Sequence, residues 1–489
     1  MVFNSIQFLL FLPVMVLLYY LVPRPARNVW LLIASYFFYL CWNPTHILVL
    51  LYVTAVAYLG GRAVGSAGGR GARRLLLAGC TALAFAPLVL LKYLGFLVDT
   101  CLVALSRVGI VIARPELDWM LPLGISFYTL QAVGYLIDVY RGAPAEKRPL
   151  QMALFVAFFP QIVSGPISRG KSLLAQFQQP QKLQFDNLRD GFLLMIWGYF
   201  LKLVIADRAG MFVDTVYNLE NGFEGWYLIV ATGLFGVQLY CDFSGATTVA
   251  MGAAKLLGID LIDNFNAPYL SRSCSEFWHR WHISLSTWFR DYLYIPLGGN
   301  RKGKLRKYCN VMVTFAVSGL WHGAQWTFVA WGLLNGLYQV AGDLLRPLRG
   351  GLLRAAGLDT DTLGHKAAQV LCTWLCINLS WVFFRADRLM DSFAILKSIF
   401  TADNLYVLFD GSLFACGLDA PNFVLLLVYL LVLFAADICK YRQATIRQEI
   451  ARQNWLCQVL LIAFGVLAVL LLGVYGPGFE ASNFIYSQF

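Results

Sequence analysis

The chain has 489 residues, of which 59% are hydrophobic and only 13% charged. A soluble domain carries about 25% charged residues, so this composition excludes an ordinary water-soluble fold and describes a polytopic, all-α membrane protein. The formal net charge of +11 would suggest nucleic acid as the partner of a soluble protein. Here the excess Lys and Arg sit in loops, the positive-inside pattern of a membrane protein, and no nucleic acid is expected.

The first apolar run, residues 6–22, follows a start with no basic residue, and no small-residue cleavage site precedes Arg24. It therefore reads as a retained transmembrane helix and not as a signal peptide. Comparable runs follow at 75–91, 422–438 and 456–474. Each is near the roughly 17–25 residues that a spanning helix needs, and with shorter runs included the chain offers roughly 11–13 transmembrane or re-entrant segments. Basic loops lie at 23–28, 61–74, 140–148, 270–308 and 440–448, whereas 42–46 and the tail from Gly476 to Phe489 have neither Lys nor Arg. This pattern predicts cytoplasmic basic loops, both termini outside and an even number of full spans. The eleven cysteines are scattered, mostly in apolar segments without CxxC spacing, and read as packing residues.

One domain is expected, in three stretches. Residues 1–150 are helices with short loops, and 151–345 hold more polar residues at membrane depth. Residues 346–489 return to plain helices after a Gly/Arg-rich link at 346–364. In the middle stretch, Pro160, Gly165 and Pro166 within FFPQIVSGPISR suggest a broken or re-entrant helix, against a simple helix end. Lys202 in GYFLKLVIADR reads as a snorkelling lysine. Asp242 in QLYCDFSG would pair with an arginine, face a cavity or make a structural hydrogen bond.

Residues 275–300, SEFWHRWHISLSTWFRDYLYIPLGGN, read as one amphipathic helix at the cytoplasmic surface. Phe277, Trp281, Leu285, Trp288 and Tyr292 make its apolar stripe, and His279, His282, Ser286 and Arg290 its opposite face. Pro296 and Gly298–Gly299 end it, and the basic run 301–307 marks the cytosol. The chain then re-enters the membrane and places His322, one of only five histidines, about 18 Å from the surface. An ionisable group at that depth is a functional-site candidate, and Gly319 and Gly323 would let a substrate or another backbone approach.

A neutral imidazole suits a general base that takes a proton from a hydroxyl attacking an activated acyl group. His322 is the candidate base; His282 would orient it, bind substrate or polarise the acyl carbonyl. Arg272, Arg280, Arg290 and the 301–307 cluster suit an anionic, phosphate-bearing donor such as coenzyme A. Ser286, Trp288, Asp291, Trp321, Gly323, Asp242 and Ser244 complete the candidate binding set. The plainer readings are a packing histidine at His322, an interfacial residue at His282, a solvated residue at His279 and arginines that only set topology. Glu276, His279 and His282 share i, i+3, i+6 spacing, but no HExxH or paired-carboxylate pattern accompanies them, and no metal site is expected.

The segments WHRWHISLSTWFRDYLYIPLGGNRKG and SGLWHGAQWTFVAWGLLNG resemble the membrane-bound O-acyltransferase (MBOAT) superfamily, as do MVFNSIQFLLFLP, FFPQIVSGPISR, GYFLKLVIADR, QLYCDFSG and the terminal FIYSQF. The match is closest to the bacterial polysaccharide branch of alginate O-acetyltransferases, with teichoic acid D-alanyl transfer proteins further off. The resemblance implies a ring of helices around a thin central core with a funnel on each face. It aligns His322 with the catalytic histidine of the family's WHG motif and His282 with its second signature histidine; His279 gains no fixed role. It also implies acetyl-CoA or another acyl carrier as cytoplasmic donor substrate, with no bound cofactor. The acceptor would be an extracytoplasmic glycan, alginate-like or else cellulose, peptidoglycan or teichoic acid, reached through a separate extracytoplasmic partner enzyme. The setting would be the bacterial inner membrane, with lipid around the helices. The chain departs from the family pattern at Ala246-Thr247-Thr248-Val249 and at Ser487. Two rivals remain: a transporter with an intramembrane histidine relay, although the sequence shows no internal repeat of the kind many transporters have, and a non-catalytic scaffold with dispensable histidines.

Overall fold

The structure is a computed structural model that describes residues 1–475 except Glu116, Asp118, Pro180 and Thr445. The tail 476–489, with FIYSQF and Ser487, lies outside the described residues. All regular structure among the described residues is helical, and the chain divides into two compact units. The first comprises Met1–Gly191 with Ala250–Ile262, the second Phe192–Val249 with Asp263–Phe489.

Among the described residues, six helical segments are long and apolar enough to cross a membrane: Pro44–Ser66, Arg70–Arg107, Trp226–Leu256, Leu363–Arg385, Ala420–Tyr441 and Trp455–Leu472. The chain is thus a multi-pass membrane protein. The first apolar run forms α1, Ile6–Leu21, which is shorter. The run at 75–91 continues through a π-helical stretch, Val89–Tyr93, into one 38-residue helical segment. The other apolar runs are short or interrupted by polar residues, which is why fewer helices qualify as spans than apolar runs can be counted.

In the first unit, α1 is followed by α2 (Arg27–Leu40), α3 (Ile47–Ser66), α4 (Arg70–Leu88), α5 (Leu94–Arg107) and α6 (Ile125–Tyr140). Glycines allow close packing there: a side chain at Gly60 would meet Cys80 and Leu136, and one at Gly61 would meet Tyr135. The expected break near Pro160 is present. Helix α7 (Pro149–Ala157) stops at Phe158, α8 (Phe159–Ile162) is a single turn, and α9 (Gly170–Phe177) follows irregular, buried chain. Broken backbone at membrane depth must find partners inside the protein. The Phe159 amide donates to Ser35 Oγ at 3.2 Å, Gln131 Nε2 donates to the Phe155 carbonyl at 2.7 Å, and Gln161 donates to Gln131.

The second unit carries the candidate chemistry. Helix α10 (Phe185–Tyr199), which enters this unit at Phe192, leads through a π-helical stretch, Phe200–Ala206, into α11 (Asp207–Tyr217), followed by the 31-residue α12 (Trp226–Leu256), which leaves the unit after Val249. Residues 275–300 do not form one helix. They form α13 (Cys274–Arg280) and α14 (Ile283–Phe289), with a π-helical turn at Arg290–Tyr294. Periodicity could not reveal the break, because Phe277, Trp281, Leu285 and Trp288 are buried across it just as one stripe would be. Its cause is non-local: residues 264–266 lie alongside. The Ile283 amide donates to the Asn264 carbonyl at 2.9 Å, and the Asn266 amide donates to the Arg280 carbonyl at 2.9 Å.

Helices α15 (Lys304–His322) and α16 (Trp326–Leu344) form an antiparallel hairpin. Side chains at Gly319 and Gly332 would strike the Phe328 and Phe315 carbonyls of the facing arm, so glycine permits the close crossing. At the base, Lys307 Nζ donates to Asp343 Oδ2 at 2.7 Å, and this hydrogen bond holds the Asp343 carboxyl below its usual range. The unit is completed by α17 (Arg346–Ala355), α18 (Leu363–Arg385), α19 (Leu389–Phe400), α20 (Ala420–Tyr441), α21 (Ile446–Ala451) and α22 (Trp455–Leu472).

Candidate active site

His322 is the last residue of α15, at the tip of the hairpin, and is 2% exposed. Aromatic rings enclose it: Trp321 and Trp331 each at 5.0 Å between ring centroids, and Phe384 at 5.6 Å. The enclosure is fixed from behind, because Trp331 stacks on Trp381 at 5.5 Å and Trp381 Nε1 donates to Tyr269 Oη at 3.2 Å. The space beside Gly323 is filled by the Phe328 ring. That glycine therefore serves hairpin packing, as Gly319 does.

His282 sits at the break between α13 and α14 and is 1% exposed. It does not lie on a solvent-facing polar stripe with His279 and Arg290. Its φ of 43° is in the left-handed region, which costs a non-glycine residue of order 1 kcal/mol and persists only where the surroundings enforce it. Asn264 supplies the enforcement. Its Oδ1 accepts from the Ser284 amide at 3.0 Å, from Ser284 Oγ at 2.9 Å and lies 3.2 Å from His282 Nδ1. A backbone N–H can only donate, so the Asn264 oxygen faces this cluster; His282 Nδ1 must then carry the proton and Nε2 the lone pair. The Phe243 ring of α12 supports the other side of the imidazole at 4.7 Å.

The two imidazole centroids are 6.4 Å apart, with Trp321 6.2 Å from His282. At this separation the ring nitrogens are beyond direct hydrogen-bond reach of one another. The structure thus brings together His322, His282 and Trp321, with Phe243, the neighbour of Asp242, at the edge.

The other sequence candidates lie elsewhere. His279 is exposed and its Nδ1 is 2.7 Å from the Ser275 carbonyl. Arg280 donates to Glu276 Oε1 at 2.9 Å and to the Asn266 carbonyl at 3.0 Å, and covers the Tyr441 ring. It is a bracing residue in this arrangement. Glu276 also accepts from the Arg272 amide at 2.9 Å, and no group of three or more His, Cys, Asp or Glu among the described residues has metal-binding geometry. Ser286 Oγ donates to the Trp281 carbonyl at 3.2 Å, and Trp288 packs on Phe289 and Tyr292. Arg290 is exposed and donates to its neighbour Asp291 at 2.9 Å. Ser244 is buried, and its carbonyl accepts from Thr248 Oγ1 at 2.6 Å.

Lys202 corrects the sequence reading most sharply. It is 1% exposed and does not snorkel. From the π-helical stretch its Nζ reaches Asp242 Oδ1 at 2.6 Å and Asp207 Oδ1 at 2.9 Å. Asp242 therefore pairs with a lysine, not with an arginine. Sequence reasoning singled out Lys202 and Asp242 but not their pairing, and it missed Asp207 and Asn264; Asn264 lacks any local signal, while Asp207, five residues after Lys202 in an apolar segment, was an available hint.

The fold is thus a multi-span helical membrane protein that buries His322, at the tip of a hairpin, near His282, at the break between two short helices. The MBOAT, membrane-bound O-acyltransferase family model matches residues 146–384, a stretch that contains both histidines. The chain is 40% identical over 397 residues to the probable alginate O-acetylase AlgI of Pseudomonas putida, covering 80% of this chain and 78% of that protein. It is 33% identical over 442 residues to the peptidoglycan O-acetyltransferase of Helicobacter pylori, covering 82% and 80%. The teichoic acid D-alanyltransferase of Streptococcus thermophilus is 32% identical over 280 residues, covering 54% of this chain and 68% of that protein. The chain belongs to the membrane-bound O-acyltransferase family and is an acyltransferase.

Proposed function

We propose that this enzyme transfers an acetyl group from acetyl-CoA, used on the cytoplasmic side as a substrate, to an extracytoplasmic glycan hydroxyl, with His322 as the catalytic base. The observation that carries the proposal is the pair of buried imidazoles, 6.4 Å apart, inside an aromatic enclosure. In the transfer step the acceptor oxygen attacks the thioester carbonyl carbon and gives its proton to His322. The carbon–sulfur bond breaks, and the imidazolium returns that proton to the departing thiolate. An O-acetyl ester and free coenzyme A result.

The tautomer argument refines the part of His282. With Nδ1–H directed at Asn264, Nε2 accepts a hydrogen bond and cannot donate one while neutral. His282 then holds the attacking hydroxyl or an N–H of the donor; it does not polarise the acyl carbonyl. The preferred acceptor is an alginate-like exopolysaccharide, on the strength of 40% identity to the Pseudomonas putida protein. An extracytoplasmic partner enzyme would relay the acetyl group to the glycan, its own hydroxyl then supplying the acceptor oxygen of the transfer step. In this reading the protein sits in a bacterial inner membrane, the basic loops face the cytoplasm and both termini lie outside.

The test uses purified protein in nanodiscs with radiolabelled acetyl-CoA, following coenzyme A release and label transfer. His322→Ala should lose about 10²–10⁴-fold in turnover while keeping its fold and donor binding. His282→Ala should also fall, and His279→Ala should match wild type. Equal turnover in all four proteins removes the histidines from the mechanism, and failure of wild type to bind acetyl-CoA removes the donor. An acceptor panel of alginate and peptidoglycan fragments decides between the glycans.

A further inference from the structure

Within the first unit, a cleft of about 280 Å³ lies where α1 ends, and it has no part in the histidine site. Its lining includes Arg24, Arg27, Arg148 and Gln151, and no acidic residue. Two helices begin here. Helix α2 starts at Arg27 and the nine-residue α7 at Pro149; neither has a side-chain cap or an acidic residue in its first turn. The dipoles of the two helix starts add partial positive charge to that of the arginines.

The arginines differ in state. Arg27 is immobilised: it donates to the carbonyls of Gln181, Tyr20 and Val22 and lies over the Tyr19 and Tyr20 rings. Arg24 and Arg148 are exposed and make no ion pair among the described residues. A second, independent observation is Gln151. It is 3% exposed, lines the cleft, and its Oε1 has no hydrogen-bond partner among the described residues. A buried carbonyl oxygen left so is costly and calls for a donor from a ligand.

We infer that the cleft binds the headgroup of an anionic, hydroxyl-bearing phospholipid of the phosphatidylglycerol kind. The phosphodiester lies against Arg24 and Arg148 at the helix starts, and a headgroup hydroxyl donates to Gln151 Oε1. Depth favours a lipid over a soluble anion. The cleft follows directly on α1, whose Leu17 and Leu21 are 61% and 68% exposed, as acyl-chain contacts would be, so Arg24 falls at headgroup level. Basic pockets beside spanning helices are suited to such headgroups.

The experiment is native mass spectrometry of the full chain, delipidated in detergent and titrated with dioleoyl phosphatidylglycerol or dioleoyl phosphatidylcholine. Wild type should retain one phosphatidylglycerol and no phosphatidylcholine under the same conditions. An Arg24→Gln/Arg148→Gln variant should lose about thirtyfold in affinity, about fivefold for each arginine. Gln151→Leu should lose about fivefold, one buried hydrogen bond. Thermal unfolding of each variant confirms that it is folded, and Arg62→Gln, outside the cleft, should bind as wild type does. Equal retention of the two lipids, or unchanged binding by the double variant, overturns the inference. So does displacement of phosphatidylglycerol by coenzyme A or pyrophosphate, which would make the cleft a site for soluble phosphates.

Discussion

Replacing Lys202 by Met should be among the most damaging single changes in the second unit. The cluster holds one ammonium between two carboxylates, all three residues at most 4% exposed. At 2.6 and 2.9 Å and an effective dielectric of about 20, each attraction is of order 6 kcal/mol before desolvation is counted. Breaking a buried pair by removing one partner costs about 3–5 kcal/mol, because the remaining charge stays buried. Lys202→Met leaves two such charges and should reach the upper end of that range. Asp207→Asn should cost about 1 kcal/mol, since it leaves one ammonium with one carboxylate and keeps an amide oxygen as acceptor. The triple variant Lys202→Met/Asp207→Asn/Asp242→Asn should regain most of the loss. Equilibrium unfolding by SDS titration in mixed micelles reads these differences. Equal losses for Lys202→Met and Asp207→Asn would refute the charge argument, as would a triple variant no more stable than Lys202→Met. The cluster also bears on chemistry, since Asp242 adjoins Phe243, which supports the His282 ring at 4.7 Å. Asp242→Asn should therefore keep turnover nearer to wild type than Lys202→Met does.

Three further outcomes are expected. Asn264→Leu removes the acceptor of two Ser284 donors and of His282 Nδ1, and should cost about 3 kcal/mol in the same unfolding assay. Its turnover should fall while acetyl-CoA binding, read by isothermal titration, is kept. Gly319→Ala should lose about 1–3 kcal/mol, because its methyl group would meet the Phe328 carbonyl of the facing arm. Gly342→Ala, in the same hairpin but with nothing within 4 Å of the added methyl, should be neutral or gain up to about 1 kcal/mol from helix propensity.

The membrane fold was legible because bilayer length and apolar runs report one physical fact, the cost of bare backbone in lipid. His322 was legible for a related reason: a scarce ionisable residue deep in an apolar segment must be satisfied or used. The break at 158–169 also announced itself, through Pro160 and Gly165. Lys202 did not, because a lysine beside apolar residues has two solutions, reaching water or meeting buried carboxylates, and only the π-helical stretch selects the second. His282 was found as a residue, but its surroundings were misread. The stripe from Phe277 to Trp288 is buried in either backbone, so the hydrophobic pattern could not tell one long helix from two short ones.

What separates the two backbones is Asn264, eighteen residues before His282 in the chain. A continuous helix would hand the His282 region its hydrogen bonds locally. The observed chain gives them to residues 264–266 instead and holds His282 at a φ of 43°. That exchange removes regular helix just where the imidazole must face inward, and it fixes one tautomer through the same oxygen that caps Ser284. Strain, orientation and protonation therefore share a single partner. Asn264→Leu should consequently affect stability and turnover together, whereas a residue that serves packing alone, such as Gly319, should lower turnover only as far as it lowers the folded fraction.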